Sequence, residues 1–232
     1  MLQFLHSLLG REPAAGPALD DSRWIVADVE SSGLDTRRDR LIAIAAVALH
    51  FPPPPEEGQS PRPRHPGIAL GDSFEVILRQ PEQTGLAMDK RNILLHGIGV
   101  GAQSRGMPPP EALGAWECFV GRSPLVGFHS AFDRAMIDRA MQGTLGRTLP
   151  NPWVDLEHLL AVLHRDHMRR SLDHWMQRYG IECAQRHQAA ADTLATAQLL
   201  LKLWPRVLAR CSGGFEEVSA LARQQRYLPG RD

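Results

Sequence analysis

Hydrophobic side chains follow two different rhythms along this chain, and the rhythm separates candidate strands from candidate helices. The segment RWIVADVE (residues 23–30) predicts a first strand. RLIAIAAVALH (residues 40–50) is apolar on both faces, which is typical of a strand buried on both sides. DSFEVIL (residues 72–78) alternates between apolar and polar side chains, so it predicts a strand with one exposed face. PLVGF (residues 124–128) predicts a further short buried strand.

Helical spacing dominates the second half of the chain. The helix that contains SLDHWMQRYG has Ser171 as a candidate N-cap and Gly180 as a candidate terminator. The predicted helices cover residues 109–120, 131–142, 154–164, 171–180 and 191–203. Strands come first and helices then alternate with a further strand, which favours an α/β fold with a mixed sheet flanked by helices over a doubly wound parallel fold.

The length of 232 residues suits one domain of about 200 residues with extensions at both ends. We expect an N-terminal extension over residues 1–22 with a short amphipathic helix, the domain proper over residues 23–204, and a C-terminal tail over residues 205–232. Residues 51–67 contain seven prolines. Proline is incompatible with a helix interior or a central strand, so we interpret this segment as an exposed loop inserted between two strands.

Composition narrows the class of protein without identifying it. The formal net charge is zero, so no global field indicates a nucleic-acid partner, although an active-site groove needs only local positive charge. Cys118, Cys183 and Cys211 form no CxxC motif, which argues for a reducing cytoplasm and against a zinc ribbon or a disulfide framework. No apolar stretch reaches the roughly 18 residues of a membrane span, and the N-terminus lacks the basic start of a signal peptide.

A pair of carboxylates stands at the end of the first predicted strand. Asp28 and Glu30 are two residues apart, so in a strand they project from the same face. Like charges this close repel each other, and a divalent cation would remove the conflict. On this stretch alone a second interpretation is equally good, namely a strand end whose acids bind nearby backbone amides.

Two further segments favour the first interpretation. Asp133 follows the short strand PLVGF and opens a predicted helix. His187 precedes Asp192 by five residues, which on a continuous helix would set the two side chains roughly 140° apart. We therefore expect His187 in the turn before the helix, from where it can lean over a site that Asp192 enters from the first turn. Four acids and one histidine, each at the start or end of an element, form a candidate catalytic constellation.

These motifs resemble those of the DEDDh-type 3′–5′ exonucleases, the superfamily of the proofreading epsilon subunit of DNA polymerase III, RNase T and oligoribonuclease. The family motif D-x-E-[TS]-[TSA]-G stands here as DVESSG (residues 28–33), the motif ending in F-D as Phe132-Asp133, and H-x-x-x-x-D as His187 to Asp192. LLHGI (residues 94–98) and SLDHWMQRYGI (residues 171–181) resemble two supporting segments. The match runs in order from about Trp24 to Trp204.

The resemblance implies an RNase H-like fold with a five-stranded mixed sheet and a centre that holds two Mg²⁺ or Mn²⁺ ions. Four carboxylates balance the charge of two divalent cations, which would stabilise both the attacking and the leaving oxygen of a phosphodiester hydrolysis. We expect Asp28 to bridge both ions, Glu30 and Asp192 to bind the ion on the nucleophile side, and Asp133 to hold the other. His187 would be the general base, because its reference pKa near 6.5 suits proton removal at neutral pH.

Substrate contacts also follow from the resemblance. Ser31 and Ser32 would face the terminal nucleotide, and Leu34 and Phe132 would stack or wedge against its base. For Phe132, an ordinary place in the core is an equally good interpretation. The family's His-Asn pair falls on Phe128-His129, so His129 becomes a candidate substrate contact in place of the asparagine.

The sequence therefore predicts a metal-dependent 3′–5′ exonuclease that releases nucleoside 5′-monophosphates from the 3′ end of DNA, single-stranded DNA being favoured. Two alternatives stay open: an exoribonuclease of the same family, and an accessory or proofreading module that docks a polymerase or repair complex. The expected protein is cytoplasmic and has no membrane partner. Its oligomeric state is not readable from the sequence.

Overall fold

The fold is built on a mixed sheet of five strands. The structure is a computed structural model that describes residues 18–52, 63–81, 93–94, 96–165, 170–183 and 186–228. Within these ranges the strands are β1 (Arg23–Ser31), β2 (Leu41–His50), β3 (Gly67–Ile77), β4 (Leu125–Gly127) and β5 (Trp153–Asp155). Their order across the sheet is β3-β2-β1-β4-β5. The first three strands form an antiparallel meander, and β4 and β5 add parallel to β1, which confirms the expected RNase H-like α/β architecture.

The helices connect and cover the sheet. They are α1 (Val100–Ser104), α2 (Pro109–Val120), α3 (Ser130–Leu145), α4 (Leu156–Leu163), α5 (Leu172–Tyr179), α6 (Ala189–Leu208) and α7 (Phe215–Arg223), and a 3₁₀ turn follows at Gln224–Tyr227. The expected caps of α5 are present. The Ser171 hydroxyl accepts a hydrogen bond from the backbone N–H of His174 at 3.3 Å, and Gly180 adopts the left-handed conformation that ends the helix.

Strand β1 explains why its sequence is apolar on both faces. Trp24 and Val26 point into one hydrophobic core, which is shared with α4, α5, α6 and α7. Ile25, Ala27 and Val29 point into a second core on the opposite face, which is shared with α2 and α3. Asp28 and Glu30 continue the row of Trp24 and Val26, because alternate residues of a strand share a face. The carboxylates therefore emerge at the end of a buried strand, on the side covered by α6.

The predicted end of the domain at Trp204 is wrong. Helix α6 does not stop near Leu203 but continues to Leu208, with Pro205 inside its last turns. Proline removes a backbone hydrogen bond from a helix, yet Trp204 and Val207 lie on the buried face of α6 and are about 1% and 0% exposed. The burial of these side chains therefore outweighs the tendency of Pro205 to end the helix.

The chain after α6 returns to the core instead of forming a tail. Phe215 at the start of α7 is 2% exposed, and its ring meets that of Trp24 edge to face at 5.1 Å between centroids. Its backbone N–H donates to the Asp21 carboxylate at 2.9 Å. Val218 and Leu221 are buried as well. Residues 205–228 thus belong to the folded domain.

Two further elements differ from the sequence prediction. Strand β5 occupies Trp153–Asp155, where the pattern predicts the first turn of a helix from residue 154. Val154 pairs with Val126 of β4 and is 3% exposed, and a run of three residues is too short to show a strand rhythm. Strand β3 begins at Gly67 instead of Asp72 because its first three residues pair with the end of β2 beyond a register shift.

Some predictions fall outside the described residues. The amphipathic helix expected near the N-terminus lies in residues 1–17, and most of the proline-rich loop lies in residues 53–62. The boundary of the N-terminal extension at residue 22 stays a prediction. In the portion of the chain that the structure describes, none of the helices has the length and apolar character needed to cross a membrane.

Candidate active site

The first two carboxylates lie where β1 leaves the sheet. Asp28 pairs with Ala45 of β2 and Glu30 with Ala43, and the register of the two strands shifts directly after Glu30. The alanines are buried and small, so they leave room above the sheet for the carboxylates. Asp28 and Glu30 are themselves only partly buried. The strand end therefore presents both acids on one face, as the sequence predicts.

Asp133 joins them from the first turn of α3. Its side chain is 3% exposed, and its Oδ1 atom accepts a hydrogen bond at 3.1 Å from the backbone N–H of Val29, the residue between the two strand carboxylates. Burial raises the pKa of Asp133 to about 8, and repulsion from Asp155 and Glu30 adds to this, whereas the backbone hydrogen bonds oppose it. The start of α3 is thus fastened directly to the carboxylate pair.

Asp192 and His187 arrive together from the start of α6. His187 lies two residues before the helix, in the left-handed conformation with φ of 62°, which is uncommon for a residue with a side chain. Its backbone N–H donates to Asp192 Oδ2 at 3.1 Å, so the buried aspartate holds this turn. The imidazole itself is exposed to solvent. This confirms the predicted place of His187 in the turn before the helix.

Electrostatics shows that the four acids share one site. Burial raises the pKa of Asp28 well above its usual range, and the negative charges of Asp133 and Asp192 raise it further. Burial likewise raises the pKa of Glu30 to about 8, with Asp28 and Asp192 as the repelling neighbours, although the backbone N–H of Ala189 partly offsets the shift. The structure therefore brings the four sequence-predicted carboxylates together as an excess of negative charge.

Arg186 is a site residue that the motifs do not single out. Its guanidinium contacts Asp192 Oδ1 through a terminal nitrogen, and its Nε donates to Asp173 Oδ1 at 2.5 Å. Hydrogen bonds and charge from these two aspartates raise the pKa of Arg186 despite its partial burial. The only sequence signal for this role is the position of Arg186 directly before His187.

The chemistry of the donor set suits divalent cations. Carboxylate oxygens are the hard ligands that Mg²⁺ and Mn²⁺ prefer. Burial, together with repulsion between the acids, raises the pKa values of Asp28, Glu30 and Asp133. Across the described ranges, no group of three or more His, Cys, Asp or Glu side chains already stands in the arrangement that holds a metal ion. Asp192 is engaged by Arg186 instead.

The loop after Glu30 holds the candidate contacts to a terminal nucleotide. The Ser31 hydroxyl donates to the Gly33 carbonyl at 2.6 Å, and the Ser32 hydroxyl donates to Asp39 Oδ1 at 3.0 Å. These bonds order the loop, at whose tip Leu34 is 87% exposed. An apolar side chain this exposed beside a cluster of acids is free to contact a base, but its predicted role is untested.

Phe132 and His129 flank the start of α3. Phe132 is partly buried and packs against the hydrophobic core that the sheet shares with α2 and α3. Packing therefore explains at least part of the burial of this side chain. His129 is exposed and adopts a left-handed conformation with φ of 61°. Its backbone N–H donates to Asp155 Oδ1 at 3.2 Å, and the same oxygen accepts from Glu157 as the N-cap of α4. Contacts of either side chain with substrate stay predictions.

Comparison with known families decides the affiliation of this site. The model of the RNase T family, described as an exonuclease family, matches residues 72–200. The chain belongs to this exonuclease family. The matched residues include Asp133, His187 and Asp192 and begin after Asp28 and Glu30, which the fold supplies through β1. Together with the motifs, this affiliation places the chain in the DEDDh-type 3′–5′ exonuclease superfamily.

The chain is also similar to individual known proteins. The chain is 25% identical over 185 residues to the PolC-type DNA polymerase III of Staphylococcus aureus, an alignment that covers 80% of this chain and 12% of the polymerase. Escherichia coli Exonuclease I in complex with a dT13 oligonucleotide has a similar fold, with a TM-score of 0.62 and 16% identity over 81% of this chain and 42% of that one. Cell-death related nuclease 4 matches with a TM-score of 0.59 and 12% identity over 78% of this chain and 63% of that one.

Proposed function

We propose that the protein is a metal-dependent 3′–5′ exonuclease that removes nucleoside 5′-monophosphates from the 3′ end of single-stranded DNA. The observation that carries the proposal is the convergence of Asp28, Glu30, Asp133 and Asp192 at one end of the sheet, where mutual repulsion and burial raise the pKa of the first three. Mutually repelling carboxylates do not stabilise a structural core, whereas a cation-dependent hydrolase uses them as metal ligands.

The carboxylates would hold two Mg²⁺ or Mn²⁺ ions, which lower the pKa of the attacking water and stabilise the charge on the phosphate and on the leaving 3′-oxygen. Asp28 would be a ligand shared by both ions, because Asp133 and Asp192 both raise its pKa by repulsion, in addition to burial. Glu30 and Asp192 form the side from which water attacks. Asp133, fixed by the Val29 N–H at 3.1 Å, holds the side of the leaving group.

His187 accepts the proton of the attacking water in this proposal. The imidazole is exposed at the mouth of the site, and its backbone is fixed to Asp192 at 3.1 Å. A general base must come within hydrogen-bond reach of the proton that it removes, directly or through one water. The left-handed backbone conformation of His187 supports this role, because it turns the histidine out of the line of helix α6.

The end of the strand would be recognised by the loop after β1 and the start of α3. Leu34, 87% exposed, offers an apolar surface to the terminal base, and His129 and Phe132 lie at the start of α3, which also carries Asp133. Base stacking of this kind is tolerant of sequence and contributes about 1–3 kcal/mol per base. A site that holds a terminal base favours removal of nucleotides from an end over cleavage within the strand.

A digestion of matched oligonucleotides tests this proposal. Purified protein is incubated with 5′-labelled single-stranded DNA and with RNA of the same sequence, in Mg²⁺, in Mn²⁺ and in EDTA, beside the Asp28→Ala variant. We expect stepwise shortening of the DNA that requires metal and is lost in the variant. Shortening that persists in EDTA or in Asp28→Ala would contradict the carboxylate mechanism, and faster digestion of RNA would make the substrate an RNA end.

A second candidate function is proofreading beside a polymerase. The similarity to a PolC-type DNA polymerase III favours it, and this chain spans 12% of the length of that relative. Co-purification with a polymerase, tested with and without residues 1–17, distinguishes the two, because a free-standing nuclease keeps its activity without a partner.

A cytoplasmic location, expected from three free cysteines, stays a prediction.

A further inference from the structure

A positive charge lies inside the carboxylate cluster, on a residue outside the exonuclease motifs. Arg186 lies in the connection between α5 and α6, directly before His187. Its guanidinium is bound at two points: Nε donates to Asp173 on α5 at 2.5 Å, and a terminal nitrogen contacts Asp192 on α6. The arginine side chain is 23% exposed, that of Asp173 59% and that of Asp192 10%. The guanidinium thus links a carboxylate at the surface to one inside the site.

The influence of Arg186 extends beyond its two partners. Its charge lowers the pKa of Asp28 and of Glu30, in opposition to burial and to the neighbouring acids. Three of the four clustered carboxylates therefore interact with this one arginine. Arg186 thus supplies part of the positive charge that a bound divalent cation would supply.

We propose that Arg186 is a positioning residue that holds Asp192 in place and releases this carboxylate when a divalent cation binds, while Asp173 retains the guanidinium at the rim of the site. The inference rests on the proposed function, because it assumes that Asp192 is a cation ligand.

Both oxygens of Asp192 are already engaged, which makes the competition direct. Oδ1 contacts Arg186, and Oδ2 accepts the backbone N–H of His187 at 3.1 Å. A cation that binds Asp192 must therefore replace the guanidinium at Oδ1 or lie beside it and be repelled by it. An arginine remains protonated at every working pH, so the guanidinium always competes with the cation as a full positive charge. Asp173, exposed on α5, provides the second anchor that keeps the displaced side chain nearby.

Calorimetric titration of the full chain with Mn²⁺ tests the proposal without measuring nuclease activity. Arg186→Gln removes the charge but keeps a polar side chain, and we expect it to bind Mn²⁺ on the order of tenfold more tightly, which corresponds to the loss of one nearby repelling charge. Arg186→Lys keeps the charge but not the two-point geometry, and it should bind Mn²⁺ more weakly than Arg186→Gln does. Arg147→Gln is the matched control, because Arg147 forms a two-point pair with Glu117 at 3.0 and 2.6 Å on an exposed surface.

A thermal scan in EDTA gives a second readout. Without metal, Arg186→Gln should melt at a lower temperature than the wild type, because the arginine no longer offsets the carboxylate charge. For the same reason, added Mn²⁺ should raise the melting temperature of the variant by more than that of the wild type. Asp173→Asn frees Arg186 from its outer anchor and should weaken Mn²⁺ binding, but it should have less effect in the Arg186→Gln background, since coupled residues are not additive.

The outcomes separate the two proposals. Unchanged or weaker Mn²⁺ binding by Arg186→Gln, in a wild type that binds Mn²⁺, overturns the role of Arg186 and leaves the proposed nuclease intact. A wild type that binds no Mn²⁺ overturns the cation site and the role of Arg186 together. Tighter binding by Arg186→Gln than by the wild type and by Arg186→Lys, with Arg147→Gln near the wild type, supports the proposal.

Discussion

Replacement of Asp133 by asparagine should make the metal-free protein more stable, although the residue belongs to the candidate active site. Asparagine has nearly the same shape, and its Oδ1 can still accept the Val29 N–H that Asp133 accepts at 3.1 Å. The substitution removes a carboxyl group that is 3% exposed and whose pKa burial raises to about 8. It also relieves Asp28, whose pKa Asp133 raises by repulsion.

The size and sign of the effect follow from the pKa of Asp133. The folded protein binds this proton up to about pH 8, whereas an aspartate in the unfolded chain loses it near pH 4. Between these values the native state binds more protons than the unfolded state, so the free energy of unfolding falls as pH rises, by up to about 1.4 kcal/mol per pH unit. Asp133→Asn should therefore be more stable by about 3–5 kcal/mol at pH 8 and by much less near pH 4.

Urea denaturation in EDTA, followed from about pH 5 to about pH 9, measures this difference directly. Asp138→Asn is the matched control, because Asp138 lies on the same helix and pairs with Arg134 at the surface, 3.3 Å apart. Loss of such a surface pair should change stability by less than about 1 kcal/mol. Added Mg²⁺ should stabilise the wild type more than Asp133→Asn, because the cation neutralises the carboxylate that the variant lacks.

Equal stability of wild type and Asp133→Asn across the pH range, or a variant that is less stable at pH 8 in EDTA, would refute the reasoning. Either result would mean that Asp133 is well satisfied as an anion in the metal-free protein. The excess of negative charge that identifies the site as a cation centre would then be absent.

Three further predictions address other parts of the molecule. His187→Ala should lower the rate of hydrolysis in a single-turnover assay by about two to four orders of magnitude at unchanged thermal stability. A near-wild-type rate in that assay would exclude His187 as the general base. Phe215→Ala should reduce the free energy of unfolding by about 3–5 kcal/mol, because the ring is 2% exposed and packs on Trp24; a loss below about 1 kcal/mol in urea denaturation would mean that α7 is peripheral. Leu34→Ala should raise the KM for a single-stranded oligonucleotide several-fold at constant stability, since Leu34 is 87% exposed, and an unchanged KM would exclude the base contact.

The sheet and most helices could be predicted because their patterns are long and agree with local chemistry. Strand β2 (Leu41–His50) is apolar over nine consecutive buried residues, and α5 has both its serine cap and its terminal glycine. Short elements have no such signal: β5 has three residues and α1 has five. The end of α6 is the instructive error, because Pro205 is a strong local signal that burial of Trp204 and Val207 overrides.

The site was predictable to the extent that its residues end strands or begin helices. Asp28, Asp133 and Asp192 could be placed together because strand ends and helix starts meet at one edge of a sheet, and the pKa shifts of the cluster agree with this. Arg186 could not be placed in the same way. Its role depends on the distance between α5 and α6, which brings Asp173 and Asp192 to the two sides of one guanidinium.

The central claim is that this carboxylate cluster hydrolyses nucleic acid from the 3′ end with the help of divalent cations. The most direct test is to incubate a 5′-labelled single-stranded DNA oligonucleotide with the protein in Mg²⁺, and to identify the released product by mass spectrometry beside Asp192→Asn. The account predicts nucleoside 5′-monophosphates and a ladder that shortens from the 3′ end, both absent in the variant and in EDTA. Internal cleavage, shortening from the 5′ end, or full activity in Asp192→Asn would contradict it.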